Sequence, residues 1–343
     1  MKALFLGLGG VGQRHLRNLI KIEPDSEIGA VRYGNRTFEI KEDLSTDKSV
    51  NIINKYRIRN FKDLDEAVSW KPDLAIISTP SHYHISPATI LIQNNIPVLL
   101  EKPISHNWDG LDQLVDSAKC SDAFIMIAYM LRFHPGFQQL MDSIKGERLG
   151  KIYSAQLTLC SHMPSWHPYE KYTDFYAGRR DYGGGVILTG IHPIDLIYAL
   201  FGLPVSLYSI GGKVSVYDID VEDTVITLFD YDLAGEKFPI SLSMSFVERP
   251  LEHSISIWGE KGQLYWNENP GYYRLTNEDT GDIVEHENKD FERNDMFISE
   301  MEHFLDCVEL KKRPITDLLD VIEGHKMALY MKESLEKKEK MLL

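Results

Sequence analysis

The sequence predicts an α/β fold in two domains, a doubly wound parallel sheet followed by an α/β domain with a large, mostly antiparallel sheet. Three observations predict it. A glycine-rich turn separates the first apolar strand from the first helix, further apolar strands alternate with helices up to about residue 130, and strand-like segments predominate after residue 150. With 343 residues, the chain exceeds the usual length of one domain. We expect the domains to span residues 1–128 and 129–343.

Composition and charge exclude several classes of protein. Hydrophobic residues make up 43% and charged residues 26% of the chain, which is typical of a globular protein. The net charge of -14 and the lack of basic runs argue against nucleic acid as a partner. No segment approaches the roughly 18 apolar residues of a membrane span, and no cleavable leader is recognisable. We therefore expect a cytoplasmic protein that does not bind membranes.

The first strand and helix enclose a nucleotide-binding pattern. Residues 2–8 form a short apolar run, and the helix that follows carries apolar residues at helical spacing. Between them Gly7, Gly9 and Gly12 form G-x-G-x-x-G, which suits a tight turn, close approach of the backbone to a pyrophosphate, and close packing of helix on strand. We expect these glycines, with Val11, to hold a dinucleotide.

The second strand, residues 27–33, decides which dinucleotide is expected. An acidic residue at its end would bind the ribose 2′-hydroxyl of NAD, but none is present. Arg32, Asn35 and Arg36 stand there instead and could hold the 2′-phosphate of NADP. The sequence thus favours NADP over NAD; the alternative is that Arg32 and Arg36 are ordinary surface charges.

The next strands, 72–79 and 96–103, flank a helix at 85–95 and end in polar residues. In a parallel sheet these ends meet in one crevice, so we expect cofactor contacts from Ser78, Thr79, Pro80, His84, Glu101 and Lys102. Among these residues Lys102 is the strongest candidate for a catalytic role, because a partly buried lysine can donate a hydrogen bond to a substrate oxygen and transfer a proton. The alternative is a surface lysine before a turn. No metal site is expected, since neither the scattered cysteines nor His82 and His84 form a ligand set.

Six motifs taken together resemble the Gfo/Idh/MocA oxidoreductases. They occur in the family's order, as GLGGVGQRHLRNL, STPSHYH, LLEKP, YMLRFHP, GGGVILTGIHPID and WGEKGQL. The resemblance implies an N-terminal Rossmann domain and a C-terminal domain built on a large sheet. It also implies hydride transfer between a tightly held nicotinamide cofactor and a carbon of a sugar or cyclitol.

The resemblance assigns proton handling to two residues, Lys102 of the EKP motif and His192 of the helix after the glycine triplet. Many relatives carry an aspartate three residues before this histidine, where this chain has Thr189. Threonine cannot supply the missing charge. Asp195, three residues after His192, could replace it on the same helix face, or bind a substrate hydroxyl, or be a surface charge. The triplet itself, residues 183–185, would let the backbone approach ligand and lysine closely.

After residue 150 the segments 151–162, 223–231, 240–246 and 253–259 predict antiparallel strands. An open face of such a sheet often mediates association, so we expect a homodimer or homotetramer. The segment 315–340 predicts a long terminal helix without chemistry.

Substrate choice is expected in the aromatic and charged loop 162–185. Trp166, His167, Tyr169 and Tyr172 could stack on a sugar ring, and Arg179 and Arg180 could bind a carboxylate or phosphate. Arg132, Thr189 and Asp195 complete the expected substrate contacts. The loop resembles family members that make sialic-acid-like or other surface sugars, which implies an anionic or nucleotide-linked sugar.

Other functions remain open at this level. The chain could be an inositol or uncharged-sugar dehydrogenase, or could cleave glycosides by transient oxidation as some relatives do. Thr189 in place of the aspartate also allows a catalytically silent sensor that binds a dinucleotide.

Overall fold

The described residues form two compact units. The computed structural model describes residues 1–343 except Tyr33, Asn35, Ala234, Asn269, Pro270, Lys289 and Asp290. Unit 1 consists of Met1–Tyr129, His167–Lys171 and Phe297–Ile322, and unit 2 of Met130–Trp166, Tyr172–Met296 and Glu323–Leu343. The first change of unit thus falls beside the expected boundary at residue 128, but two later segments of the chain also belong to unit 1.

Unit 1 contains a six-stranded parallel sheet in the order β5-β2-β1-β6-β7-β8. Its strands are β1 (Lys2–Leu6), β2 (Glu27–Val31), β5 (Arg59–Phe61), β6 (Leu74–Ile77), β7 (Val98–Leu100) and β8 (Ile125–Ile127), and a small hairpin adds β3 (Phe38–Ile40) and β4 (Thr46–Asn51). Its helices are α1 (Gly10–Ile22), α2 (Ile52–Lys55), α3 (Leu64–Ser69), α4 (Ile85–Gln93) and α5 (Leu111–Lys119). The predicted doubly wound parallel sheet is confirmed.

The strand order fixes where a ligand can bind in unit 1. The chain starts at β1, winds outward through β2 to β5, and returns to the other side of β1 with β6. The order therefore reverses between β1 and β6, and in open α/β sheets the ligand crevice lies at the carboxyl ends of the strands at such a point. Gly7 follows β1 and Ser78 follows β6, so both lie beside this crevice.

Unit 2 contains a nine-stranded sheet in the order β16-β15-β14-β13-β9-β12-β11-β10-β17. All its neighbouring strands are antiparallel except the parallel pair of β9 and β12, which confirms the predicted mostly antiparallel sheet. The strands are β9 (Ile152–His162), β10 (Ser206–Gly212), β11 (Thr224–Leu233), β12 (Glu236–Ser245), β13 (Val247–Gly259), β14 (Gly262–Asn267), β15 (Tyr272–Asn277), β16 (Asp282–Glu287) and β17 (Met341–Leu342).

The remaining helices are α6 (Pro135–Lys145), α7 (Val186–Thr189), α8 (His192–Phe201), α9 (Arg293–Leu310) and α10 (Leu318–Lys337). The sequence pattern predicts α10, whereas it predicts no helix at the position of α9. In unit 1, Phe304 of α9 packs edge to face with Phe124 at 5.9 Å. Among the described residues no single helix is long and apolar enough to span a membrane, while the bent pair Arg180–Thr189 and His192–Phe201 reaches that length and hydropathy jointly.

One face of the large sheet exposes apolar side chains. Tyr208 and Ile210 of β10 lie opposite Leu228 and Ile226 of β11 in the antiparallel register. All four are exposed, Leu228 to 55% of its surface. Alternate residues of the same strands, including Phe229 on β11, are buried on the other face. The sheet thus has one face packed in the core of unit 2 and one face with an apolar cluster at its surface.

Candidate active site

The glycine turn after β1 has the geometry of a dinucleotide cradle. Gly7 has φ +92°, and a Cβ there would lie 2.8 Å from the carbonyl oxygen of Ser78, so only glycine fits. A Cβ at Gly12 would lie 2.7 Å from the carbonyl oxygen of Gly7, which lets α1 pack close to the turn. A Cβ at Gly9 would meet nothing within 4 Å. Gly9 therefore faces open space, as a residue that approaches a ligand should.

The first turn of α1 supplies donors to the same place. The first backbone bond of the helix runs from the Gln13 N–H to the Gly9 carbonyl at 2.9 Å. The N–H groups of Gly10, Val11 and Gly12 consequently precede the intrahelical bonding pattern, and this end of the helix carries a partial positive charge. Open space at Gly9 and these donors together fit the pyrophosphate of a dinucleotide.

The residues after β6 tie the crevice to its neighbours. The Ser78 hydroxyl donates to the Gly7 carbonyl at 2.9 Å, Thr79 is buried and Pro80 is exposed. The ring nitrogens of His84 lie 2.8 Å from the carbonyl oxygens of Thr79 and Pro103. Burial lowers the pKa of His84, although the two carbonyl oxygens partly offset this effect. His84 thus joins the ends of β6 and β7 as a buried strut.

Lys102 follows β7 beside a buried hydrogen-bonded pair, His15 and Glu101. The Nε2 atom of His15, on α1, lies 2.8 Å from Oε1 of Glu101, and Oε2 of Glu101 accepts the backbone N–H of Lys102 at 3.2 Å. Burial alone would raise the pKa of Glu101, but the hydrogen bond and charge of His15 hold that pKa below its usual value. The pair therefore connects the helix that begins at the glycine turn with the backbone of Lys102.

A second carboxyl group, Glu300 of α9, is buried in the same unit. Neither of its oxygens has a hydrogen-bond partner among the described residues. Burial, followed by the negative charge of Glu101, raises the pKa of Glu300 well above its usual value. Of the two carboxyl groups, Glu300 is therefore the one that keeps its proton to the higher pH.

The residues after β2 are engaged with the protein itself. Arg32 donates through Nη2 to the carbonyl oxygens of Gly34 and Arg36. Nη2 of Arg36 lies 3.2 Å from Oε2 of Glu170, in the segment of unit 1 contributed by residues 167–171. Asn35, the third residue expected to contact NADP, lies outside the described part of the chain.

In unit 2 the glycine triplet packs against a half-buried acid. Gly185 has φ +106°, and a Cβ there would lie 2.2 Å from Oε1 of Glu222. The same oxygen accepts the N–H of Ile187, in α7, at 3.4 Å. Burial raises the pKa of Glu222. The close approach that requires glycine here is thus to Glu222, and it fixes the start of α7.

His192 is the first residue of α8 and is half-buried. Thr189 ends α7 and is buried. Arg132 donates to both carboxylate oxygens of Asp195, from Nε at 2.7 Å and from Nη2 at 2.8 Å. Asp195, three residues after His192, is therefore paired with Arg132 and is not a free carboxylate for the imidazole. The structure thus brings together Arg132 and Asp195, both expected to contact substrate, as an ion pair within unit 2.

The expected substrate loop divides between the units. Trp166 packs edge to face on Phe246 at 4.8 Å, and its indole N–H donates to the Ser161 hydroxyl, so it anchors the loop in unit 2. Arg179 and Arg180 are exposed, although the Arg180 backbone N–H donates to Asp220. His167 and Tyr169, expected to stack on a sugar, stack on each other at 5.0 Å within unit 1.

The sequence reasoning missed four residues with structural roles at these places: His15, Glu170, Glu222 and Glu300. Only His15 had a signal, because it lies three residues after Gly12 on a helix whose N-terminal end was already assigned to the dinucleotide. Each acid acquires its role from a partner distant in sequence, and no local pattern marks such a contact. Among the described residues, no group of three or more His, Cys, Asp or Glu side chains is arranged to hold a metal ion.

Comparison with known families matches both parts of the chain. Residues 1–129 match the model of the oxidoreductase family with an NAD-binding Rossmann fold, and residues 137–265 match the GFO/IDH/MocA C-terminal domain. Myo-inositol 2-dehydrogenase of Thermotoga maritima is 24% identical over 274 residues, which cover 77% of this chain and 75% of that protein.

An oxidoreductase of Streptococcus pneumoniae is 24% identical over 204 residues, which cover 59% of this chain but only 54%, about half, of that relative. Among solved structures, the WlbA dehydrogenase of Bordetella pertussis in complex with NADH and UDP-GlcNAcA has the same fold, with a TM-score of 0.78 and 17% identity. The superposition covers 100% of this chain and 98% of that structure.

Proposed function

Since the chain belongs to the Gfo/Idh/MocA oxidoreductase family, we propose that it is an NAD(P)-dependent dehydrogenase or reductase of a sugar, and that the sugar is anionic or nucleotide-linked. A role in the biosynthesis of surface carbohydrates follows from this substrate class. Lys102 and His192 are the proposed catalytic residues.

One observation carries the proposal, the fixed position of Lys102 in the nucleotide-binding unit. The backbone N–H of Lys102 donates a hydrogen bond to the carboxylate of Glu101. The same carboxylate is hydrogen-bonded to His15, on the helix that starts at the glycine turn. A lysine held in this way at the carboxyl end of β7 stands beside the crevice where the cofactor binds. Charge at this position stabilises the alkoxide that develops on a substrate oxygen.

The nicotinamide, when bound, supplies an acceptor for the hydride of an alcohol carbon or the donor for the reverse reaction. The remaining work is proton transfer to and from the hydroxyl oxygen, which Lys102 and His192 perform as acid and base. Histidine suits this role because its pKa lies close to neutral pH. Arg132 neutralises Asp195, so the imidazole acts without that carboxylate as its counter-ion.

Two observations support an anionic substrate. Arg179 and Arg180 are exposed on the loop that leads to the glycine triplet, where their guanidinium groups can bind carboxylate or phosphate. The WlbA dehydrogenase of the same fold was solved with UDP-GlcNAcA. The Thermotoga relative, a myo-inositol dehydrogenase, favours an uncharged cyclitol as the second candidate.

The test combines identification of the cofactor with a substrate panel. Denaturation of the purified protein followed by mass spectrometry identifies any dinucleotide that it carries. Reduction of NAD⁺ and NADP⁺ is then followed by absorbance with UDP-GlcNAcA, UDP-GlcNAc and myo-inositol. Turnover of the UDP-sugars alone supports the proposal, whereas turnover of myo-inositol alone contradicts the anionic substrate. Cofactor binding without turnover of any sugar favours a sensor.

The apolar cluster on the open face of the large sheet supports a homodimer or homotetramer. Tyr208, Ile210, Ile226 and Leu228 form a cluster of cross-strand neighbours, and contiguous apolar surface of this kind is characteristic of association sites. A second copy of the chain can cover it isologously, with the same strands on both sides.

A cytoplasmic location completes the proposal. Cys120, Cys160 and Cys307 are free thiols, and Cys120 is exposed. Free exposed thiols persist in the reducing cytoplasm, whereas oxidising compartments favour disulfides.

A further inference from the structure

The segment of residues 167–171 lies in the middle of the sequence of the second domain, yet it belongs to the nucleotide-binding unit. Tyr169 lies against the glycine turn, because a Cβ built at Gly10 would be 2.8 Å from the Tyr169 hydroxyl oxygen. Arg36 lies over the Tyr169 ring at 5.5 Å. The segment thus reaches both the start of α1 and the residues that follow β2.

Glu170 is the charged centre of this contact. His167 Nδ1 lies 2.8 Å from Oε1 of Glu170, and Arg36 Nη2 lies 3.2 Å from Oε2. The Glu170 side chain is 21% exposed, so solvent screens the group only in part. Burial alone would raise the pKa of Glu170, but the hydrogen bonds from His167 and Arg36 hold that pKa below its usual value. The group is therefore a carboxylate at neutral pH.

The position of Arg36 after β2 indicates which part of a dinucleotide Glu170 would contact. In a Rossmann sheet the ribose of adenosine lies at the end of the second strand, where an acid accepts a hydrogen bond from the 2′-hydroxyl of NAD, or an arginine binds the 2′-phosphate of NADP. β2 ends at Val31, and residues 32–38, which follow it, contain two arginines and no acid. Arg36 is paired with Glu170, and Arg32 donates to backbone carbonyls.

We propose that Glu170 selects the dinucleotide, as the acid that the end of β2 lacks: it accepts the ribose 2′-hydroxyl of NAD(H) and repels the 2′-phosphate of NADP(H). This inference rests on the proposed function, in that the chain binds a nicotinamide dinucleotide. It reverses the preference for NADP that the arginines alone indicate.

Two properties of the carboxylate support this role. A carboxylate has about four lone-pair sites, and His167 and Arg36 occupy two of them, so acceptor capacity remains for a ribose hydroxyl. A 2′-phosphate carries negative charge, which would meet Glu170 and would have to compete with it for Arg36. Like charges brought together at a binding site disfavour the wrong ligand strongly.

The experiment measures dissociation constants of NAD⁺, NADH, NADP⁺ and NADPH by calorimetry or protein fluorescence, without substrate. We expect the wild type to bind NAD(H) more tightly than NADP(H) by roughly tenfold or more. Glu170→Gln, which keeps the size of the side chain and removes its charge, shifts this ratio toward NADP(H) by a similar factor. In the double variant with Arg36→Ala the gain for NADP(H) becomes smaller, because the released guanidinium causes one part of it and the loss of repulsion by Glu170 causes the other.

The single variant Arg36→Ala provides a test that does not depend on the folding of the Glu170 variant. If Arg36 binds the 2′-phosphate, its loss weakens NADP(H) binding selectively, which overturns the proposal. If Arg36 serves Glu170, the loss does not weaken NADP(H) more than NAD(H). Glu23→Gln is the matched control, because it removes an exposed carboxylate beyond the far end of α1, about 20 Å from the glycine turn by the length of that helix, and should leave the ratio unchanged.

The remaining outcomes separate this inference from the proposed function. A wild type that binds NADP(H) as tightly as NAD(H), or a Glu170→Gln variant with an unchanged ratio, overturns the role of Glu170 and leaves the dehydrogenase function standing. A wild type that binds neither dinucleotide overturns both.

Discussion

Arg132 donates to both carboxylate oxygens of Asp195, at 2.7 and 2.8 Å, with the aspartate 2% exposed. Arg132 precedes α6, and Asp195 lies in the first turn of α8, the helix that begins with His192. The pair therefore joins the start of the histidine helix to another element of unit 2. Both residues are predicted from the sequence to contact substrate, and the structure pairs them with each other instead.

Arg132→Met should destabilise the protein by about 3–5 kcal/mol, because it leaves the Asp195 charge buried without a partner. Replacing both residues, as Arg132→Met with Asp195→Leu, should recover much of this loss. Thermal unfolding followed by circular dichroism measures both effects. The matched control is Lys337→Met, which breaks the exposed pair with Glu333 and should leave the melting temperature unchanged. An Arg132→Met variant as stable as wild type would contradict a structural role for the pair.

Lys102→Ala and His192→Ala should each lower kcat by about 10²- to 10⁴-fold, since each removes a group that transfers a proton in the transition state. The dissociation constant of the dinucleotide should change little, because backbone groups of the glycine turn hold the pyrophosphate. Steady-state kinetics and cofactor titration measure the two quantities separately. Lys119→Ala, an exposed lysine of α5, is the control. Unchanged turnover in both variants would remove these residues from the mechanism.

Gly9→Ala and Gly12→Ala should fail in different ways. The Gly9 methyl group meets nothing within 4 Å, so the fold tolerates it, but it enters the space proposed for the pyrophosphate. A close contact of one methyl group costs about 1–3 kcal/mol, or roughly 5- to 150-fold in dinucleotide affinity. The Gly12 methyl group lies 2.7 Å from the Gly7 carbonyl and should lower the melting temperature as well. Equal affinity of Gly9→Ala and wild type would place the dinucleotide elsewhere.

Glu300→Gln should stabilise the protein at pH 8 and not at pH 4. Burial and Glu101 raise the pKa of Glu300 in the folded state, so the folded protein binds the proton more tightly than the unfolded chain does. Stability due to this group therefore falls as the pH rises from about 4.3, the ordinary glutamate value, to the folded pKa. The amide removes this loss. Melting temperatures of both proteins from pH 4 to 8 measure it, and parallel curves would show that Glu300 does not titrate abnormally.

Leu228→Lys should dissociate the proposed oligomer, because it places a charge in the centre of the exposed apolar cluster. Light scattering with size-exclusion chromatography gives the molecular mass of each species. Val216→Lys is the control, an equally apolar residue that is 98% exposed in the loop after β10. A monomeric wild type, or an oligomer unaffected by Leu228→Lys, would assign the cluster another role.

Most of the framework could be predicted because it depends on local patterns. Apolar runs located β1, β2, β6 and β7, and three glycines located the turn before α1. Strand alternation also located β9, β11, β12 and part of β13. The helix α9 was missed, because its apolar residues, such as Phe297 and Met301, are interspersed with many charges. Its ring contacts with His15 and Phe124 in unit 1, rather than strong periodicity, give it a place in the fold.

The sequence by itself determined the class of the protein, the order of those strands and helices that local patterns mark, the glycine turn, and the positions of Lys102 after β7 and His192 before Pro193. Only the tertiary structure decided what the charged residues do. Glu170 meets Arg36 across 134 positions and Asp195 meets Arg132 across 63, so neither partner is visible in a local pattern. The periodicity of backbone structure is encoded within a few residues, whereas the pKa and the partner of a side chain depend on groups that only folding brings close.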